Sequence, residues 1–289
     1  MTTGIDEKIL KKLETLEKQE GPLPRSLEFY GKLLAIQSAT RLRTGTPPTS
    51  LSPADIDERI AAGRPLLGFA DLSVDWALFY EIFKEVSDLL SGYSKEWAEA
   101  AGNLKATPML LEKSAREWFE EGRAPFPGDS DSTEDLWNLM IQSTFKPFLK
   151  GRAEALRGHI NNELWRRGYC PVCGGSPDFA FLEKEYGAKW LLCSRCDNEW
   201  LFKRLECPSC GTENQDDLAY FPDDKGLYRV YVCEQCRHYL KAIDLRQTDD
   251  DVLLPLERFF TLDLDYQAQK NGYKPPARTS GGAGIKGGR

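Results

Sequence analysis

The chain has 289 residues, 41% hydrophobic and 29% charged, with a formal net charge of -7. That length allows roughly two units of about 150 residues, each able to bury a core, and no apolar run approaches the ~20 residues a membrane helix needs. The negative charge excludes a general attraction to polyphosphate, and the charged opening MTTGIDEKILKKLETLEKQEG has neither the apolar core of a secretory signal nor the Arg-rich bias of a transit peptide. A cytoplasmic protein with no membrane and no nucleic-acid partner is expected.

The first part reads as successive helices. Ile9, Leu13 and Leu16 recur at helical spacing, as do Phe29, Leu33 and Ile36 before a Pro/Thr/Ser-rich loop from Thr44 to Leu51. Ser52 is placed to cap a short helix with Pro53 at its first position, Asp55 three residues after the cap and Gly63 as its stop. Trp76, Phe79, Phe83, Val86 and Leu90 then step by three and four, the stripe of a helix expected from about Leu72 to Leu90, read as core rather than as a partner groove. A further helix holds Trp118 and Phe119, and GRAPFPGDSD interrupts before Ser132 and Asp135 restart it. Leu136, Leu139 and Met140 continue the stripe, Pro147 starts or kinks another helix, and Leu156, Ile160 and Leu164 are expected to carry it to Trp165.

Past Gly168 the period becomes two, the signature of strands. Phe179 and Phe181 alternate, Gly187 marks a turn, Trp190 and Leu192 lead to Cys193, and Trp200 and Phe202 form another strand. The plan repeats as LAYF, a PDDKG turn, LYRVYVC and YLKAIDL. Cys170 to Cys207 is an offset of 37 and Cys193 to Cys233 one of 40, so this is an internal duplication whose second hairpin is longer by three residues. After the acidic linker Asp249 to Asp251, a helix from about Leu256 to Gln269 ends at Asn271 and Gly272, and PPARTSGGAGIKGGR is expected to be disordered. The expected fold is α+β: an α-helical domain over 1–168, four-cysteine ribbons over 169–206 and 207–248, a C-terminal helix over 249–273 and a tail over 274–289.

All eight cysteines fall in C-x-x-C pairs between positions 170 and 236. Two cysteines on a tight turn aim both sulfurs at one ion, and two such knuckles make a tetrahedral site. Pro171 and Pro208 fix the first turn of each ribbon and Gly174 and Gly211 follow it, whereas Asp197 and Arg237 hold the corresponding place in the second knuckles and imply a looser turn. Because each set brackets one hairpin, sequential pairing is expected: Cys170, Cys173, Cys193 and Cys196 around one ion, and Cys207, Cys210, Cys233 and Cys236 around another. A thioredoxin-like dithiol does not fit four copies flanked by strands, and four thiolates leave no open position for a hydrolytic metal. The region from 170 to 246 carries 10 Lys and Arg against 13 Asp and Glu, unlike a DNA-reading ribbon. His159, placed in the last helix before the ribbons, and His238, beyond the final knuckle, are read as ordinary residues, and no catalytic triad, nucleotide-binding glycine motif or acid/base pair stands out.

The order WRRGYCPVCGGSP, CSRCDNEW, CPSC and CEQCRHYLK, followed by LERFFTLDLDYQAQKNGY, resembles the formate dehydrogenase accessory protein FdhE family from Trp165 to Tyr273. The preceding FKPFLKGRAEALRGHINNELW is also similar to that family, and upstream of about residue 130 helical character and relative length agree. The resemblance implies a non-enzymatic cytoplasmic maturation factor, with a helical N-terminal domain and two rubredoxin-like modules binding iron through the eight cysteines. The implied partner is the catalytic subunit of a respiratory formate dehydrogenase, a molybdenum or tungsten enzyme exported folded by the twin-arginine route. The residues themselves leave iron and zinc open, since S4 sites accept both. They also leave open a rubredoxin-like electron carrier using FeS4 sites, and a zinc-ribbon nucleic-acid factor that the acidic ribbons disfavour.

Overall fold

A computed structural model describes residues 4–45, 51–93, 95–102, 107–124 and 131–276. Most of the Thr44 to Leu51 loop, the proline-rich interruption at 125–130, the Ser132 side chain and the tail beyond residue 276 lie outside the described residues. In chain order the elements are α1 (Ile5–Glu20), α2 (Arg25–Thr44), α3 (Pro53–Ala61), α4 (Trp76–Ser91), α5 (Lys95–Gly102), α6 (Pro108–Glu121), α7 (Asp131–Arg157), β1 (Pro177–Leu182), β2 (Lys189–Cys193), β3 (Glu199–Phe202), β4 (Leu218–Pro222), β5 (Tyr228–Cys233), β6 (Tyr239–Asp244), α8 (Leu254–Phe260) and α9 (Leu262–Lys270). They form two compact units, Met1–Pro48 with Gly68–Ala155, and Thr49–Leu67 with Leu156–Arg289.

The first unit is helical. The expected stripe is buried at Phe79, Phe83, Val86 and Leu90, but its helix begins at Trp76, because Asp75 accepts from the backbone N–H of Ala77 and Leu78 and so sets the cap there. Phe145 of α7 sits amid aromatic rings, with centroids 5.7 Å from Phe79, 5.8 Å from Trp118 and 6.1 Å from Phe119. Asp6, 4% exposed, is held by Lys150 at 2.6 Å and Arg41 at 2.9 Å, the paired state a buried carboxylate requires. Helix α7 passes through Pro147 but stops at Arg157, so His159 and Leu164 lie in turns and Ile160 in irregular chain rather than in the expected helix. Gly158 and the Asn161-Asn162 pair end it, Asn161 accepting from Glu163 N in a local turn at 3.0 Å.

The second unit is built on one six-stranded sheet of order β3-β2-β1-β6-β5-β4. Each ribbon contributes an antiparallel three-stranded meander, and the two join where β1 pairs with β6 in parallel, Phe179 opposite Lys241 and Leu182 opposite Asp244. Phe179, Phe181, Leu192 and Ile243 form one buried cluster, with Leu254 of α8 packed on it. Val230, Val232, Tyr239 and Ala268 form another, joined by Leu264 of α9. The single C-terminal helix expected from Leu256 is broken at Thr261. There the buried ammonium of Lys241 donates to the carbonyls of Arg258 and Thr261 at 3.0 and 3.2 Å and pairs with Asp265 at 2.5 Å, and the Thr261 hydroxyl donates back to Glu257 O. Those orphan carbonyls are satisfied, and the chain restarts as α9.

Helix α3 has the expected capping box, Ser52 and Asp55 bonding reciprocally, and Gly63 follows with φ +69. The strap after it donates from Leu66 and Leu67 N–H to the carbonyls of Pro171 and Val172 at 2.8 and 2.9 Å, and Gly63 O accepts from the Tyr169 hydroxyl at 2.8 Å. Segment 165–169 is pinned by Trp200 Nε1 donating to Arg167 O at 2.8 Å, and a Cβ at Gly168 would lie 2.0 Å from Pro208 O. Since that obstacle is backbone, Gly168→Ala is expected to cost about 1–3 kcal/mol, read as a lowered midpoint in thermal unfolding.

Candidate metal centres

Four copies of one backbone turn place the eight sulfurs. In each, the N–H four residues after the first cysteine donates to that cysteine's carbonyl: Gly174 to Cys170 at 3.0 Å, Asp197 to Cys193 at 3.3 Å, Gly211 to Cys207 at 2.9 Å and Arg237 to Cys233 at 2.8 Å. The cysteine N–H in turn donates one residue further on, to Gly175, Asn198, Thr212 and His238. The turn needs a left-handed residue at its end, and Gly174, Asp197, Gly211 and Arg237 have φ of 71, 54, 75 and 60. The looser second knuckles expected from the missing glycines are therefore not found. Asp197 and Arg237 adopt the same conformation, at a cost of about 1–2 kcal/mol each.

The four knuckles bring the sulfurs together in the sequential sets, Cys170, Cys173, Cys193 and Cys196 in one and Cys207, Cys210, Cys233 and Cys236 in the other, each set within 4.8 Å. Cys173 lies 3.5 Å from both Cys193 and Cys196, Cys170 lies 3.7 Å from Cys196, and the pairs Cys207–Cys236 and Cys210–Cys233 are at 3.7 Å. A tetrahedron with metal–sulfur bonds of about 2.3 Å has edges of about 3.8 Å, whereas a disulfide closes to about 2 Å. The spacing fits an ion in each set. Backbone N–H groups face the sulfurs as a thiolate site requires, Arg195 N at 3.4 Å from Cys193 Sγ, and Ser209 and Cys210 N–H on Cys207. Burial pushes the Cys170 and Cys196 thiols well up, hydrogen bonds from the neighbouring sulfurs hold Cys173 well down, and burial pushes Cys207 up to about 11. Four buried thiolates need a cation among them.

Searched against protein-family models, the chain matches none. Among curated proteins it is 27% identical over 271 residues to a protein FdhE homolog of Aquifex aeolicus, covering 91% of this chain and 90% of that one. It is 27% identical over 230 residues to protein FdhE of Escherichia coli strain K12, covering 76% and 70%. The crystal structure of the FdhE protein from Pseudomonas aeruginosa superposes with a TM-score of 0.60 over 93% of this chain and 91% of that one, at 22% identity, and so shares the fold. The chain is similar to FdhE proteins over nearly its whole length.

Within this FdhE-like chain the two sets differ in exposure. Cys170, Cys173, Cys193 and Cys196 are at most 1% exposed, while in the second set Cys210 is exposed and Cys236 half-buried. Three cations around the sites were not legible as such in the sequence. Arg258 of α8 donates to Asp178 at 2.9 Å, to Asp197 at 2.6 Å and to Cys193 O at 2.7 Å, bracing the second knuckle of the first set. Arg157 donates to Asp197 O at 3.0 Å. Lys189, 2% exposed, lies over the rings of Tyr231 and Phe202, 3.5 Å from Glu206 O; burial lowers its ammonium to about 8 against the opposing pull of Cys207 and Glu206. His238 lies beside the second set, but the four-sulfur group does not include it.

Proposed function

We propose that this chain is a formate dehydrogenase accessory factor that binds the catalytic subunit of that enzyme in the cytoplasm and assists its assembly before export. In this reading each four-cysteine set holds one ion, iron by the family resemblance or zinc in the same sulfur geometry. The observation that carries it is the pair of sulfur tetrahedra within a chain aligned over nearly its whole length with an FdhE homolog. Such sites supply no open coordination position, so the ions hold knuckles in shape rather than turn over a substrate. No helix among the described residues is long and apolar enough to cross a membrane. The test is a deletion strain together with affinity capture of the native catalytic subunit. Loss of formate oxidation and stoichiometric capture are expected; unchanged formate oxidation and no capture would end the proposal.

Exposure of Cys210 favours a second reading, in which an iron held by the second set exchanges electrons at the surface as a rubredoxin-like carrier. Reversible bleaching of the thiolate-to-iron band by a reductase, with turnover, is what that reading requires.

A further inference from the structure

We propose that β4 is a docking edge for an extended segment of a partner polypeptide, which joins the sheet parallel to β4 and carries basic residues beyond both ends of the paired stretch. The duplication itself points to this. Because the ribbons repeat head to tail, β4 stands to β5 as β1 stands to β2: Phe179, Ala180, Phe181 and Leu182 oppose Leu192 to Lys189, and Ala219, Tyr220, Phe221 and Pro222 oppose Val232 to Arg229. On β1 the far edge is taken by β6 in parallel register, and Phe181 is 8% exposed. On β4 the corresponding edge bears no strand among the described residues, and Phe221, at the same register position, is 58% exposed with Tyr220 at 53%. One copy of the repeat has its added strand and the other lacks it.

A second copy of this chain does not supply the strand. The first ribbon's equivalent of β6 is β3, and continuing the repetition between copies would require β3 to pair outward, yet Trp200, Leu201 and Phe202 are 0–8% exposed. The charge around the edge indicates the partner's chemistry. Asp216 and Asp217 precede β4 and Asp223 and Asp224 follow it, against Lys225 alone at the turn, so basic flanks are complementary. Beside the strand a cavity of about 90 Å³ is walled by Leu205, Leu218, Tyr220, Tyr231 and Leu240, with the buried Lys189 in its lining. It is smaller than the roughly 150 Å³ that admits benzene, which suits an aliphatic side chain of the added strand, and Lys189 excludes a basic one. Pro222 has no N–H and ends the ladder, leaving Leu218 to Phe221 as the template.

Taking the partner to be the formate dehydrogenase catalytic subunit rests on the function proposed above. The test uses the full metal-loaded chain with purified catalytic subunit as the probe, measuring hydrogen exchange and affinity. Expected are at least tenfold slower exchange at Leu218 to Phe221 on binding, at least tenfold weaker binding by Tyr220→Asp and Phe221→Asp, and unchanged binding by Leu262→Asp on exposed α9. Binding that survives both edge substitutions without protection at 218–221 overturns the docking edge while leaving the accessory role standing. Absence of any binding by the unaltered chain overturns the accessory role and the edge assignment with it. Faster exchange at 218–221 after truncation at residue 276, or a dimer that Phe221→Asp dissolves, assigns the edge to the chain's own tail or to a second copy and likewise overturns the proposal.

Discussion

Stripping the proposed ions under anaerobic conditions is expected to unfold the second unit while the helical first unit keeps its circular dichroism. A structural four-sulfur ion contributes on the order of 10 kcal/mol to folding, comparable to the whole stability of a typical domain. The first unit has its own core around Phe145, whereas in the second unit the paired knuckles of each ribbon converge on their sulfurs, which repel one another as thiolates once the ion is gone. The two sets should respond differently to substitution. Cys193→Ser places a hydroxyl at a position 0% exposed and removes a ligand from a closed site, so the variant should fail to fold. At Cys210, which is exposed, the hydroxyl of Cys210→Ser is solvated and water can reach the vacated position, so that variant should fold while its metal content falls from two ions towards one. Metal analysis alongside near-ultraviolet dichroism of the buried Trp200 reads both outcomes. Equal behaviour of the two variants would contradict the assignment of one closed and one solvent-reached site.

The sheet was legible because its strands carry their period in short range: Phe179 and Phe181, Trp190 and Leu192, Trp200 and Phe202 all fall in strands, between knuckles whose spacing is fixed by the cysteines. The duplication likewise foretold the sequential sulfur sets. What escaped was set by contacts far apart in sequence. Nothing in Leu66 or Leu67 announces backbone bonds to the first knuckle, and no local pattern says that β1 and β6 pair in parallel to fuse the ribbons into one sheet. Helix ends were misplaced where polar side chains outcompeted an apolar stripe, at Asn161 after α7 and at Thr261, where Lys241 reaches across from β6. Lysines and arginines are ordinarily surface residues, so a buried Lys189 or Lys241 is not visible until its surroundings are.

Arg258→Ala is expected to destabilise the second unit by about 3–5 kcal/mol, the typical cost of removing one partner from a buried ion pair. Its guanidinium joins Asp178, Asp197 and the Cys193 carbonyl, and Asp197 is 4% exposed. A lysine offers one point charge where the planar fork makes three contacts, so Arg258→Lys should recover only part of the loss. Asp197 supplies the counter-test, because two effects of opposite sign meet there. Glycine at this left-handed position relieves about 1 kcal/mol of backbone strain, but it takes the carboxylate from a guanidinium that is itself 11% exposed. The charge effect is the larger, so Asp197→Gly should also destabilise. With both changes made, neither buried charge remains to be left behind, and the double variant should be more stable than the sum of the single losses predicts, by about 1–3 kcal/mol. Guanidinium unfolding of the metal-loaded protein measures all three. Simple additivity would mean that Arg258 braces the sheet through Asp178 and the Cys193 carbonyl alone, and that the knuckle geometry of the first set owes nothing to Asp197.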